Sequence, residues 1–163
     1  ENKLDQALEY IHQICTDIDN SCVIKYCKNE ALNLILSSYA NQAKESGIDV
    51  RISVTATDFT RFQITDLCSL FANALENAIH ACEKIPTSEK RYITLKVFEK
   101  NDRICINIAN NYIQNPVFEN EIPTSHEANH GIGVRSMISV VEKYHGVYGF
   151  FTENKEFRFQ ASL

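Results

Sequence analysis

Residues 65–84, TDLCSLFANALENAIHACEK, constrain the fold more than any other part of this chain. Neither glycine nor proline interrupts them, and at about 100° per residue they read as one helix with two unlike faces. Phe71, Ala74, Leu75, Ala78 and Cys82 fall on one arc, and Asn73, Glu76, Asn77, His80 and Lys84 fall on the opposite one. The first arc has to be buried against another layer of structure. The second is an odd way to build a solvated surface, because Asn is a weak helix former. Here two Asn stand one turn apart, with a His three residues further on. A side-chain amide oxygen can ligate a hard cation such as Mg2+, and side chains four apart on a helix reach the same ligand.

The rest of the chain supplies the layer that the apolar arc needs. Residues 3–19 carry Leu4, Leu8, Ile11, Cys15 and Ile18 at helical spacing, and 20–28 read as a connection. A helix is expected over 29–46, with Asn29 as its N-cap and Gly47 as its stop. Alternation at Ile48, Val50, Ile52 and Val54 predicts a strand over 48–56. Strands at 92–99 and 103–109, joined by the short polar turn Lys100-Asn101-Asp102, predict a hairpin, and 147–152 with 156–162 predict another around a turn at Glu153-Asn154. A last helix is expected over 132–145, and 110–130 show no periodicity and read as a functional loop. Hairpins mixed with helices predict an α+β fold, a two-layer sandwich with a mixed, mostly antiparallel sheet and its helices on one face.

The second candidate element is His130-Gly131-Ile132-Gly133-Val134-Arg135, where two glycines open the last helix. Glycine allows close backbone approach to an anion, and the free N–H groups and dipole of a helix start favour phosphate. Val134, Met137, Ile138, Val141 and Tyr144 form the apolar stripe that anchors this helix, with Met137 read as core. Composition narrows the partners. The formal net charge is −5 and no Lys/Arg cluster occurs, which disfavours nucleic acid. No apolar run approaches the ~20 residues that span a bilayer. The first residues read as the interior of a helix, so a membrane sensor is expected to lie outside this stretch. Six cysteines occur without a C-x-x-C pair or a zinc-like spacing, consistent with reduced, core-filling thiols in a cytoplasmic domain.

These motifs resemble a known family. Asn73-Ala-Leu-Glu-Asn77-Ala78 resembles the asparagine box of the GHKL superfamily, and HGIGVRSMISVVEKYHG at 130–146 resembles its second glycine box and the helix after it. Between them, I-x-I-x-N at 106–110 stands where the family's first glycine box follows a strand. Order and spacing match over about residues 25–163, and residues 1–24 would be the end of a dimerisation helix and its connection. The likeness is greatest to the catalytic domains of bacterial sensor histidine kinases of the peptide-quorum, LytTR-linked kind. Those carry a similar E/D-N-A-I-x-A-C run, a T-S-x segment before H-G-I-G and a short lid.

The resemblance implies the Bergerat fold, ATP and Mg2+ as ligands, and a role for each matching residue. Asn77 would ligate the metal, Asn73 would support the same metal–phosphate site, and His80 would face the phosphates; these three would form the catalytic group. Asn110 would hold the adenine amino group. His130, Gly131, Ile132, Gly133 and Val134 would bind nucleotide at the start of the last helix, and Thr124, Ser125 and His126 would lie in the lid. The partners implied are the dimerisation and phosphoacceptor helices of the same kinase, homodimeric in full length, and a cognate response regulator. A membrane is implied only through a sensor outside this stretch.

Two departures shape the reading. Residues 110–114 are Asn-Asn-Tyr-Ile-Gln, whereas the usual first glycine box is Asp-x-Gly-x-Gly. An Asn oxygen still accepts from an adenine N–H, though without charge. That change keeps open an alternative, a nucleotide-free module of the same fold serving interaction or dimerisation. Superfamily members that hydrolyse ATP place a Glu four residues before the metal Asn, where this chain has Asn73, which cannot take a proton. The expectation is therefore a histidine kinase domain rather than an ATPase. No H-D-x-x-N-like acceptor run occurs, and His12 lacks that context.

Overall fold

The computed structural model describes residues 24–124 and 130–163, with the backbone alone at 130 and 131. The helix expected over 3–19 lies outside the described residues, as do Ser125 and His126. Three helices are described: α1 (Glu30–Glu45), α2 (Ile64–Glu83) and α3 (His130–Lys143). The strands are β1 (Asp49–Val54), β2 (Tyr92–Lys100), β3 (Arg103–Asn111), β4 (Val117–Glu119), β5 (Ile122–Thr124), β6 (Val147–Glu153) and β7 (Glu156–Ser162). Five of them form one mixed sheet in the order β1-β2-β3-β7-β6, in which only β1 and β2 run parallel. The expected α+β two-layer architecture is the one observed.

The inner face of that sheet follows from the period-two pattern. Leu95 pairs with Ile108, Ile108 with Phe159, and Phe159 with Phe150, so one buried row crosses four strands. Leu70, Phe71, Leu75 and Ala78 of α2, Leu32 and Leu36 of α1, and Met137 and Val141 of α3 close over it as one core. The opposite face carries Phe98, Val147 and Phe151 in the open.

Local chemistry sets the ends of the elements. Asn29 caps α1 by accepting from the Leu32 N–H at 3.1 Å. At the other end Gly47 adopts φ +71°, the Gly47 N–H donates to the Lys44 carbonyl, and the Ile48 N–H donates to that of Ala43. This is the paired closure of a helix turned off by a left-handed glycine. Two buried polar residues of α1 hold the incoming chain. Asn33 Oδ1 accepts from the Tyr26 and Cys27 N–H groups, and Ser37 donates to the Ile24 carbonyl.

Three hairpins close over two residues each, at Asn101-Asp102, Asn120-Glu121 and Asn154-Lys155, with positive φ at all six positions. Left-handed geometry at both central residues matches the twist of the flanking strands, and Asn tolerates it. The middle hairpin, β4–β5, corrects the expectation of a structureless 110–130. Strands of three residues are too short to show alternation. The hairpin is held by Phe118, whose ring stacks on Phe157 at 6.4 Å between centroids. A second correction concerns α3. It begins at His130, so Gly131 and Gly133 lie inside its first turn rather than in the loop before it.

The start of α2 has no side-chain cap of its own. Its closure comes from the end of α3. The Tyr144 hydroxyl accepts from the Gln63 N–H at 2.9 Å and donates to Asp66 Oδ2 at 2.5 Å, while Lys143 pairs with the same carboxylate at 2.7 Å. The Tyr144 ring packs edge-on against Phe62. The Lys143 ammonium and the Tyr144 hydroxyl hold the Asp66 carboxyl below its usual range. Stabilisation by this group is therefore complete above the unfolded value of about 4 and is lost as pH falls through the lower folded value. Tyr144→Phe is expected to cost about 1 kcal/mol. In urea unfolding across a pH series, Asp66→Asn should be less stable than the wild type at neutral pH. That gap should close as the medium becomes strongly acidic; a gap independent of pH would refute the assignment.

Candidate functional site

The polar arc of α2 does not face open solvent along its length. Between α2, the sheet, the β4–β5 hairpin and α3 lies a cavity of about 360 Å³, within the range of pockets that hold small ligands. Asn77, His80 and Lys84 line it from α2, Asn110 from β3, Thr124 from β5 and Val134 from α3. Its apolar wall is Ile108, Met137, Phe150, Phe157 and Phe159. Five of the residues singled out in the sequence thus meet at one place: Asn77, His80, Asn110, Thr124 and Val134.

The amide groups in this region are oriented by their partners. Asn77 Nδ2 points to the Met137 sulfur at 3.9 Å, so its Oδ1 is turned away from that contact. Asn110 is 2% exposed, and its Nδ2 donates to the Asn111 carbonyl at 2.9 Å. Only an amide N–H can donate to a carbonyl, so the Asn110 oxygen is the group turned away from that contact. Asn111 in turn is anchored. Its Oδ1 accepts from the Tyr92 N–H and its Nδ2 donates to the Lys90 carbonyl. The adjacent Cys82 Sγ points at the carbonyls of Tyr92 and Asn111, and burial pushes its pKa up to about 11, so it stays a neutral thiol.

Other expected residues stand elsewhere. Asn73 does not line the cavity. Its Nδ2 donates to the Ser69 carbonyl at 2.7 Å and approaches the Ser69 and Ser136 hydroxyls at 3.3 and 3.5 Å. Its Oδ1 lies against Gly133, where a Cβ would come within 3.0 Å. Ile132 is 70% exposed, and the side chain of His130 lies outside the described residues. Met137, read as core, is both core and cavity wall. Reading along the sequence missed the phenylalanines of β6 and β7. Their positions become part of the site only once β7 is paired with β3, which no local pattern reports.

The donor set decides which cation this cavity suits. Among the described residues its lining contains no Asp or Glu, and Glu76 is exposed on α2. Amide oxygens without a carboxylate, that of Asn77 foremost, are too little for a free Mg2+, which prefers carboxylates and a strict octahedron. The Asn77 oxygen fits an ion that already carries phosphate and water ligands. Calorimetric titration of MgCl2 alone into the chain should accordingly show no saturable binding at millimolar concentrations; a stoichiometric site would contradict this reading of the lining.

Residues 62–163 match a family model described as a GHKL domain. Among solved structures the chain is similar to the nucleotide-free catalytic domain of histidine kinase ThkA, with TM-score 0.65 and 15% identity over 83% of this chain and 91% of that one. It is also similar to the histidine kinase domain of the blue-light activated histidine kinase EL346 from Erythrobacter litoralis, with TM-score 0.64 and 12% identity over 81% of this chain and 58% of that one. A third likeness is to full-length ShkA in complex with AMPPNP, with TM-score 0.59 and 15% identity over 81% of this chain and 28% of that one. No curated protein sequence matches the chain. At such identities the structural likenesses bear on the fold. The family match takes in more than half of the chain, which belongs to the GHKL domain family and has the α+β fold of histidine kinase catalytic domains.

Proposed function

We propose that this chain is the ATP-binding catalytic domain of a two-component sensor histidine kinase, donating the γ-phosphoryl of Mg-ATP to a histidine outside these residues. The observation that carries the reading is the convergence of Asn77, His80 and Asn110 on one cavity whose lining holds no carboxylate. The cavity is adenosine-sized and largely apolar at the wall, with a buried acceptor in Asn110 for the base and an amide oxygen in Asn77 for the metal–phosphate end. The likeness to ShkA accords with this, since that protein is seen in complex with the ATP analogue AMPPNP.

The absence of an acidic side chain from the described lining favours transfer over hydrolysis. No carboxylate there is placed to take a proton from water. Phosphoryl transfer asks the protein mainly for positioning and charge neutralisation. Asn77 Oδ1 would hold the cation, which would spread the negative charge of the phosphates when bound. His80 approaches from the next turn of α2, and Asn110 orients the base by accepting from its amino group. Asn73 contributes from behind the cavity rather than as a second ligand. Thr124 and Ser125 belong to the lid, and His130–Val134 to the phosphate-facing helix start.

Residues 25–163 are assigned to the catalytic domain and 1–24 to the end of the dimerisation helix and its connection. The partners are then the phosphoacceptor helices of the same kinase, in a homodimer, and a response regulator. No helix among the described residues is long and apolar enough to cross a membrane, so any anchor is assigned to a sensor outside them, with this domain cytoplasmic. The Glu76-Asn77-Ala78-Ile79-His80-Ala81-Cys82 run and the Thr124-Ser125 pair support the peptide-quorum, LytTR-linked subfamily.

Thermal unfolding with Mg-AMPPNP tests the core of this. At a hundred times the dissociation constant the ligand should stabilise the fold by about 2.7 kcal/mol. The shift should require Mg2+ and vanish in Asn77→Ala. Asn110→Ala should weaken binding about tenfold, the equivalent of ~1.4 kcal/mol. Incubation of the chain alone with radiolabelled ATP should yield no phosphohistidine. A chain that shows no shift at saturating millimolar nucleotide would instead be the nucleotide-free interaction module.

A further inference from the structure

The two asparagines one turn apart on α2 both point their amide nitrogens at α3, and at adjacent residues of it. Asn73 Nδ2 approaches Ser136, and Asn77 Nδ2 approaches Met137. The Asn73 contact belongs to a closed group of four. Ser69 Oγ and Ser136 Oγ lie 3.3 Å apart, Asn73 Nδ2 reaches both, and the Ser69 carbonyl accepts from Asn73 at 2.7 Å. Asn73 Oδ1 lies against Gly133, one turn before Ser136, where a Cβ would stand 3.0 Å from it and push it by a few tenths of an ångström. All of this lies in the crossing of α2 over the first two turns of α3. None of Ser69, Asn73, Gly133 or Ser136 lines the cavity, whereas Asn77 and Val134 beside them do.

Resting on the nucleotide reading above, we propose that Ser136, with Ser69, is a positioning residue: through Asn73 it sets the separation between Asn77 and the first turn of α3. On this view Asn73 is the peg of a helix–helix clamp, and glycine at 133 lets the peg sit close against α3. The hydroxyls matter because an amide nitrogen has two hydrogens. One is held by the Ser69 carbonyl, and the other is shared between the hydroxyls of Ser69 at 3.3 Å and of Ser136 at 3.5 Å, the second of which ties it to α3. Without that acceptor the start of α3 is free to shift relative to Asn77. The consequence falls on the phosphate and metal end of the site. The base end, set by Asn110 on β3 and its anchor Asn111, is built on different elements.

A comparison of two ligands separates this role from a merely structural one. Dissociation constants for Mg-AMPPNP and for adenosine would be measured on the full chain, in the wild type and in Ser136→Ala, Ser136→Val and Ser136→Thr, with melting temperatures alongside. Ser136→Ala and Ser136→Val are expected to lose about threefold to tenfold in Mg-AMPPNP affinity, with adenosine affinity unchanged. Ser136→Thr, which keeps the hydroxyl, should retain wild-type discrimination. Ser69→Ala should reproduce the effect and stands in should the bulkier valine prevent folding. Equal losses for both ligands, or no loss for either, would overturn the clamp while leaving the nucleotide site standing. A wild-type chain that binds neither ligand would overturn the functional reading, and the clamp's role with it.

Discussion

Everything in this domain depends on α2 having one face in the core and the other at a cavity. Burial of Leu70, Phe71, Leu75 and Ala78 against the sheet and α1 fixes the rotation of the helix about its axis. Burial of each of the three larger side chains, Leu70, Phe71 and Leu75, is worth about 1.5–3 kcal/mol. A rotation by one residue would expose several of them at once. The same rotation aims Asn77 and His80 at the cavity, so the functional face needs no separate device to orient it. Position along the axis is set independently by the Tyr144–Asp66–Lys143 closure at the start of the helix.

Polar groups near the site are spent on the protein first. The nitrogens of Asn73, Asn77, Asn110 and Asn111 face the Ser69 carbonyl and the two serine hydroxyls, the Met137 sulfur, the Asn111 carbonyl and the Lys90 carbonyl respectively. An amide has donors at one end and acceptors at the other, so fixing the first end presents the second. Of these four only Asn77 and Asn110 line the cavity, which therefore offers amide oxygens without a carboxylate, beside the Lys84 ammonium. That is a sensible counterpart to a ligand that brings its own cation and an exocyclic amino group. It also costs less in desolvation than a buried carboxylate.

How much of this was legible in the sequence depends on the range of the interactions. The two faces of α2, the cap at Asn29, the stop at Gly47 and two of the hairpin turns are local, and the residues announced them. The β4–β5 hairpin was not legible, because its hydrophobic anchor, Phe118 on Phe157, joins distant segments and its strands are three residues long. Asn73 and Asn77 looked equivalent because helical spacing reports a shared arc. It does not report that one end of that arc meets α3 and the other a cavity. The phenylalanine wall likewise needed the β3–β7 pairing before Phe157 and Phe159 could be placed beside Asn110.

The hairpins have a consequence for the order in which such a chain assembles. β2–β3 and β6–β7 each close over two residues, and closures of that size occur in about 1–10 μs. β1 can join β2 only in parallel, after the whole of α2 has been laid across the sheet. Contacts that close long loops carry a larger entropic toll and form late. The sheet should therefore grow from its antiparallel middle outward, with β1 and α1 docking onto a surface already made. The family match begins at residue 62, beyond both of those elements. The late-docking edge thus stands outside the matched stretch, which keeps α2, the hairpins and α3 together.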